Sequence, residues 1–80
     1  MYFCVVSEWA FDGDEGGKVL AIEQSEDAAK KEFRKQVEQE REFVEENGWH
    51  TYVDEEDSFD AGEEGFYAGS HTCLFIQRVG

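Results

Sequence analysis

The chain has no proline, two cysteines, and only seven basic side chains against twenty acidic ones in eighty residues. Each shortage excludes something. Two cysteines, Cys4 and Cys73, are too few for a disulfide scaffold, so a reducing, cytoplasmic setting is expected. A formal charge of −13 leaves nothing to neutralise phosphates, which excludes direct nucleic-acid binding through basic contacts and disfavours docking on anionic membranes. No apolar run approaches the roughly 18 residues of a membrane span, and the N-terminus lacks the basic-then-apolar pattern of a secretion signal. No catalytic motif is present, so the chain is expected to be no enzyme and to carry no cofactor.

What is present suffices for one core. Apolar residues make up 40% of the chain, including seven Phe, three Tyr and two Trp, more than a disordered chain carries. A chain this short buries only roughly 60% of its unfolded surface, so residues 1–80 are expected to form a single, modestly stable domain.

Tyr2 to Phe11 is rich in aromatic and β-branched residues on both alternating faces, which suits a strand with neighbours on both sides. Asp12 to Gly17 is a turn by composition and Lys18 to Glu23 a second strand, giving a hairpin. Ser25 is a good N-cap, Glu26 and Asp27 suit the positive end of the helix dipole, and Asn47-Gly48 is a stop signal. Between them Ala29, Phe33, Val37 and Val44 fall on one helical stripe flanked by Phe43, predicting a helix packed through Phe33 and Val37 on a sheet. Trp49 to Val53 reads as a third strand, Asp54 to Glu64 as an acidic loop, and Tyr67 to Val79 as a fourth strand, central because Cys73-Leu74-Phe75-Ile76 is apolar on both faces. The expected fold is α+β: a ββαββ order with one helix on an antiparallel or mixed sheet.

Three local patterns invite chemistry. Asp12, Asp14 and Glu23, with a glycine at the sixth position of the run, resemble the ligand spacing of a calcium-binding EF-hand loop, yet Gly16 gives no side-chain oxygen and the flanks read as strand. A glycine-rich hairpin turn explains the same residues. Cys4, Cys73, His50 and His71 lack paired metal-ligand spacing; His71-x-Cys73 alone would share a strand face. Ser70-His71 sits in no nucleophile frame.

Charge is the stronger signal. Residues 25–47 hold five of the seven bases, whereas residues 48–80 carry seven acids and one base. Asp12, Asp14 and Glu15, with Asp54, Glu55, Glu56, Asp57, Asp60, Glu63 and Glu64, make up half of all the acids with no base among them. Carboxylates spread over a rigid sheet can imitate phosphates and occupy a basic groove, and exposed aromatics (Trp49, Phe59, Phe66 and Tyr67 are the candidates) would add anchoring contacts. Those ten acids are therefore the expected surface for a basic, nucleic-acid-binding protein. The alternatives are an acidic accessory or adaptor subunit that does not compete with DNA, and a small calcium module at residues 12–23.

In size, charge and the acidic stretch from Asp54 to Glu64, the chain resembles the small anti-defence inhibitors of phages and mobile elements, the anti-CRISPR and antirestriction proteins. That resemblance implies a bacterial cytoplasmic setting, with a CRISPR effector or a restriction enzyme as partner and its DNA site blocked.

Overall fold

In a computed structural model of the protein, residues 1–11, 14–63 and 69–80 are described. Two alternations organise them. Strand β1 (Tyr2–Phe11) and strand β2 (Asp14–Glu23) form an antiparallel hairpin, helix α1 spans Glu26–Glu46, and β3 (His50–Asp54), β4 (Ser58–Gly62) and β5 (His71–Val79) follow. The chain order is thus β-β-α-β-β-β, one strand more than the sequence pattern predicts. The extra strand is β4, inside the stretch expected to be an acidic loop. Ser58-Phe59-Asp60-Ala61-Gly62 alternates polar and apolar, and Phe59 and Ala61 are fully buried. Five residues with period two were outweighed in the sequence by the carboxylates around them.

The sheet order is β2-β1-β5-β4-β3, antiparallel at every junction. The last strand in sequence enters the centre, between two hairpins, which agrees with its apolar composition on both faces. Helix α1 carries the chain from one sheet edge, β2, to the other, β3, across a single face.

The helix begins and ends as its sequence dictates. The Ser25 hydroxyl accepts a bond from the Ala28 N–H at 3.1 Å, satisfying one of the orphan donors of the first turn. At the other end Gly48 adopts φ +66°, and the Gly48 and Trp49 N–H groups donate to the Glu45 and Val44 carbonyls at 3.2 and 3.0 Å. Only glycine enters that left-handed region without a Cβ penalty. The turn delivers Trp49 against Phe43 and Phe11, with ring centroids 5.2 and 5.5 Å away.

Ala29, Phe33, Val37 and Val44 are the buried residues of the helix. Phe33, Val37 and Val44 meet Val5, Phe59, Ala61 and Leu74 in one core, with Leu20, Ala21, Trp49 and Ile76 packed at its margin. On β2 the edge glycine Gly16 lies opposite Trp9, and a Cβ there would come within 2.6 Å of the indole. The ring covers the space that the missing side chain leaves.

Candidate partner-binding surface

Register assigns every strand side chain to one of two faces. Val5, Ser7 and Trp9 of β1 lie opposite Ile76, Leu74 and Thr72 of β5, and Leu74 and Thr72 lie opposite Phe59 and Ala61 of β4. These positions share the face that the helix covers, since Val5, Leu74, Phe59 and Ala61 belong to the core. The intervening positions share the other face, across which no described element packs.

That open face has an apolar half and an acidic half. Tyr2 lies beside Val79, and Cys4 lies between Ile22 and Gln77; Val6 lies between Val19 and Phe75. Tyr2, Val19, Ile22 and Val79 are each about half exposed or more, at 46%, 52%, 64% and 46%. Further along the strands Cys73 sits between Glu8 and Asp60, and Ala10 sits between Glu15 and His71. A shallow depression of about 650 Å³ joins the halves, lined by Val6, Glu8, Glu15 and Val19 and, around the β2 edge, by Trp9 and Lys18. Burial, then the charges of Asp60 and Glu8, push the Cys73 thiol up to about 11 from its ordinary 9.0.

No lysine or arginine holds a register position on that face, although Lys18 borders the depression from the edge strand. Lys18 is paired with Ser7 and Arg78 with Phe3, both on the helix-covered side, and the other five basic residues are helical. Two of these five are engaged at the rim. Arg41 donates to both carboxylate oxygens of Asp54 at 2.8 Å and lies 5.4 Å from the centre of the Phe59 ring. Lys30 reaches Glu26 at 3.1 Å and Glu56 at 3.4 Å. These hydrogen bonds raise the pKa of both cations, against a smaller opposing effect of desolvation.

The acids expected from sequence to act together are dispersed by this topology. Asp12 and Glu64 lie outside the described residues, as do Phe66 and Tyr67. Asp14 and Glu15 begin β2 beside Phe11 and Ala10, whereas Glu55, Glu56 and Asp57 form the β3–β4 turn, where the Asp57 carbonyl accepts the Ile76 N–H at 3.1 Å. Ile76 is level with Val5, so the two segments lie roughly 20 Å apart along the strands and about as far apart across the sheet. Asp54 and Glu56 point to helix cations, and Glu63 is exposed beyond β4, its carbonyl accepting the Tyr52 hydroxyl at 2.7 Å. Of the ten, Glu15 and Asp60 are the ones that the register sets on the open face. Glu8 joins them and was missed; its signal was a polar residue ending the Tyr2-x-Cys4-x-Val6 alternation.

Other expectations are corrected. Phe59 is a core residue and Trp49 is half-buried against two rings, so neither is an exposed anchor. Among the described residues the exposed aromatics are Tyr2, Tyr52 and, more marginally, Phe43. Asp14 and Glu23 stand at opposite ends of a ten-residue strand, roughly 30 Å apart in extended conformation, which removes the calcium-loop reading. Among the described residues no cluster of three or more His, Cys, Asp or Glu is placed to hold a metal ion. His71 and Cys73 do share a face, and the two thiols are free, Cys4 being opposite Gln77 and Cys73 opposite Glu8. No helix among the described residues is long and apolar enough to cross a membrane. Compared with known proteins, the chain matches no family model, no curated protein and no solved structure.

Proposed function

We propose that the protein is a non-enzymatic binding module whose open sheet face docks on a basic, nucleic-acid-binding protein and blocks its groove. The observation that carries this reading is the segregation of charge: Glu8, Glu15 and Asp60 lie on the uncovered face, and the seven cations hold positions on the helix or on the covered side of the strands, with Lys18 alone at the border of the depression. A basic surface approaching the open face meets carboxylates with Lys18 as the one cation at their border, and approaching the helix it meets both signs. The apolar half supplies what charge alone lacks, a desolvated contact that lengthens residence.

Magnitudes favour imitation of one strand over a whole duplex. The molecule is 36 Å along its longest axis. A duplex of that length carries about 21 charges and one of its strands about 11, against a net −13 for the whole chain, of whose carboxylates Glu8, Glu15 and Asp60 lie on the open face. A host defence complex, a CRISPR effector or restriction enzyme, is the partner class that the size and charge suggest. The exposed apolar residues also suit an acidic adaptor subunit, which would bind by the same face without excluding nucleic acid.

One experiment separates the two. The immobilised chain is used to capture partners from bacterial lysate, and the retained protein is then challenged with DNA and RNA. Mimicry requires that nucleic acid displace the chain and that raising salt weaken the complex. A complex that persists under saturating nucleic acid would falsify mimicry and leave the adaptor.

A further inference from the structure

We infer that a second copy of this chain pairs with the free edge of β2, continuing the sheet across a twofold axis between Leu20 and Ala21. Strand β2 is terminal in the sheet order, so one backbone edge of its ten residues has no strand neighbour among the described residues. Such an edge is a template for another strand unless its side chains oppose pairing. Here they suit one register of self-pairing.

The β1–β2 pairing shifts between Val5 and Val6: Val5 is opposite Ala21 and Val6 opposite Val19, leaving Leu20 as the extra residue of a bulge. Leu20 and Ala21 both pack against the core. Along β2, Lys18 therefore lies on the helix-covered side, Val19 on the open side, Leu20 and Ala21 on the covered side, Ile22 on the open side and Glu23 on the covered side. That order reads the same in both directions. An unbulged strand would put Lys18 and Glu23 on opposite faces, and they could not meet across an antiparallel pair.

In the register centred on Leu20 and Ala21, Lys18 of each copy faces Glu23 of the other, and Val19 faces Ile22. The symmetry makes each pair occur twice. Val19 and Ile22 are among the most exposed apolar side chains, at 52% and 64%, and they border the apolar half of the open face. Lys18 is the only cation of β2, and no ion pair among the described residues engages Lys18 or Glu23. A lone lysine on an edge strand ordinarily guards against pairing. Here its placement matches Glu23 about the twofold, so in this register it selects the partner strand.

This inference does not rest on nucleic-acid mimicry, and salt tells the two apart. Each copy carries −13, so long-range repulsion opposes self-association and screening strengthens it, whereas screening weakens a complex with a basic protein. The test is sedimentation of the full chain over a concentration series up to roughly millimolar, in low salt and in roughly 0.5 M NaCl. A monomer–dimer equilibrium shifted toward dimer by salt is expected. Lys18→Glu alone and Glu23→Lys alone should each weaken it about tenfold, because every opposite-charge pair becomes a like-charge pair. The double variant, K18E with E23K, should restore it. Monomer throughout the series, or a dimer indifferent to the single reversals, overturns the inference. So does a double variant that is folded by circular dichroism and stays monomeric.

Discussion

The two faces of the sheet are built from the same five strands and differ by one residue of register, yet they have opposite fates. On one, Val5, Phe59, Ala61 and Leu74 vanish beneath Phe33, Val37 and Val44. On the other, Val6, Phe75, Val19 and Ile22 have the same chemistry and no cover. The chain has enough apolar residues for two faces and one helix to close them. Polar distribution follows the same division. By register the strand cations Lys18 and Arg78 are on the covered side with the five of the helix, where Arg41 and Lys30 draw Asp54 and Glu56 toward the helix. The open side keeps carboxylates, with Lys18 alone at its border. Stability is thus concentrated on one face, and the other is the one proposed above for recognition.

The largest expected effect tests the covered face. Phe33 is 1% exposed, and Phe33→Ala should lower the unfolding free energy by about 3–5 kcal/mol, a large share for an eighty-residue domain. Phe75→Ala, on the open face, should cost less than half as much, because water already reaches that ring. Urea midpoints measured for both variants decide the matter. Equal losses would mean that the open face is as well packed as the covered one, and the division between the faces would collapse.

Much of the covered face was legible in the sequence. The stripe Ala29, Phe33, Val37 and Val44, the Ser25 cap and the Gly48 stop all follow from the period and chemistry of one helix, and each is where those rules put it. The central place of β5 followed from its apolar run. The candidate surface was less legible, because faces depend on pairing and pairing is non-local. Nothing local to Asp54 announces Arg41, thirteen residues earlier, as its partner. Phe59 looked like a surface aromatic because it stands between acids, and alternation buries it. Glu8 looked like an interruption of an apolar strand until β5 and β4 set Cys73 and Asp60 beside it.

A smaller effect, on binding alone, sharpens the contrast within the acids. Reversing Glu8 and Asp60 together to Lys should weaken capture of the basic partner more than tenfold, since it places cations in the centre of the open face. Reversing Glu55, Glu56 and Asp57 should weaken it less in physiological salt, because that turn lies at the far rim and Glu56 is shared with Lys30. Both variants should keep the helical circular dichroism of the parent. If the turn variant loses more binding than the face variant, the contact surface is the β3–β4 turn and its neighbours.

The smallest effect is a pH dependence at Cys73, in the acidic row of the open face. Its thiol is raised to about 11, first by burial and then by Asp60 and Glu8, so the folded protein holds this proton where an unfolded chain, near 9.0, releases it. The neutral form is the one that folding favours. Its contribution to stability is therefore complete below about pH 9 and is lost as pH rises toward 11. Since the thiolate is the nucleophile, alkylation of Cys73 by iodoacetamide at pH 8 should be slow in the folded chain and fast in urea. Asp60→Asn and Glu8→Gln should each quicken the folded-state reaction several-fold by removing a negative charge beside the sulfur. Rates followed by mass spectrometry, with Cys4→Ser as background, give the comparison directly. If neither substitution changes the rate, the carboxylates do not set the reactivity of this thiol, and burial alone protects it.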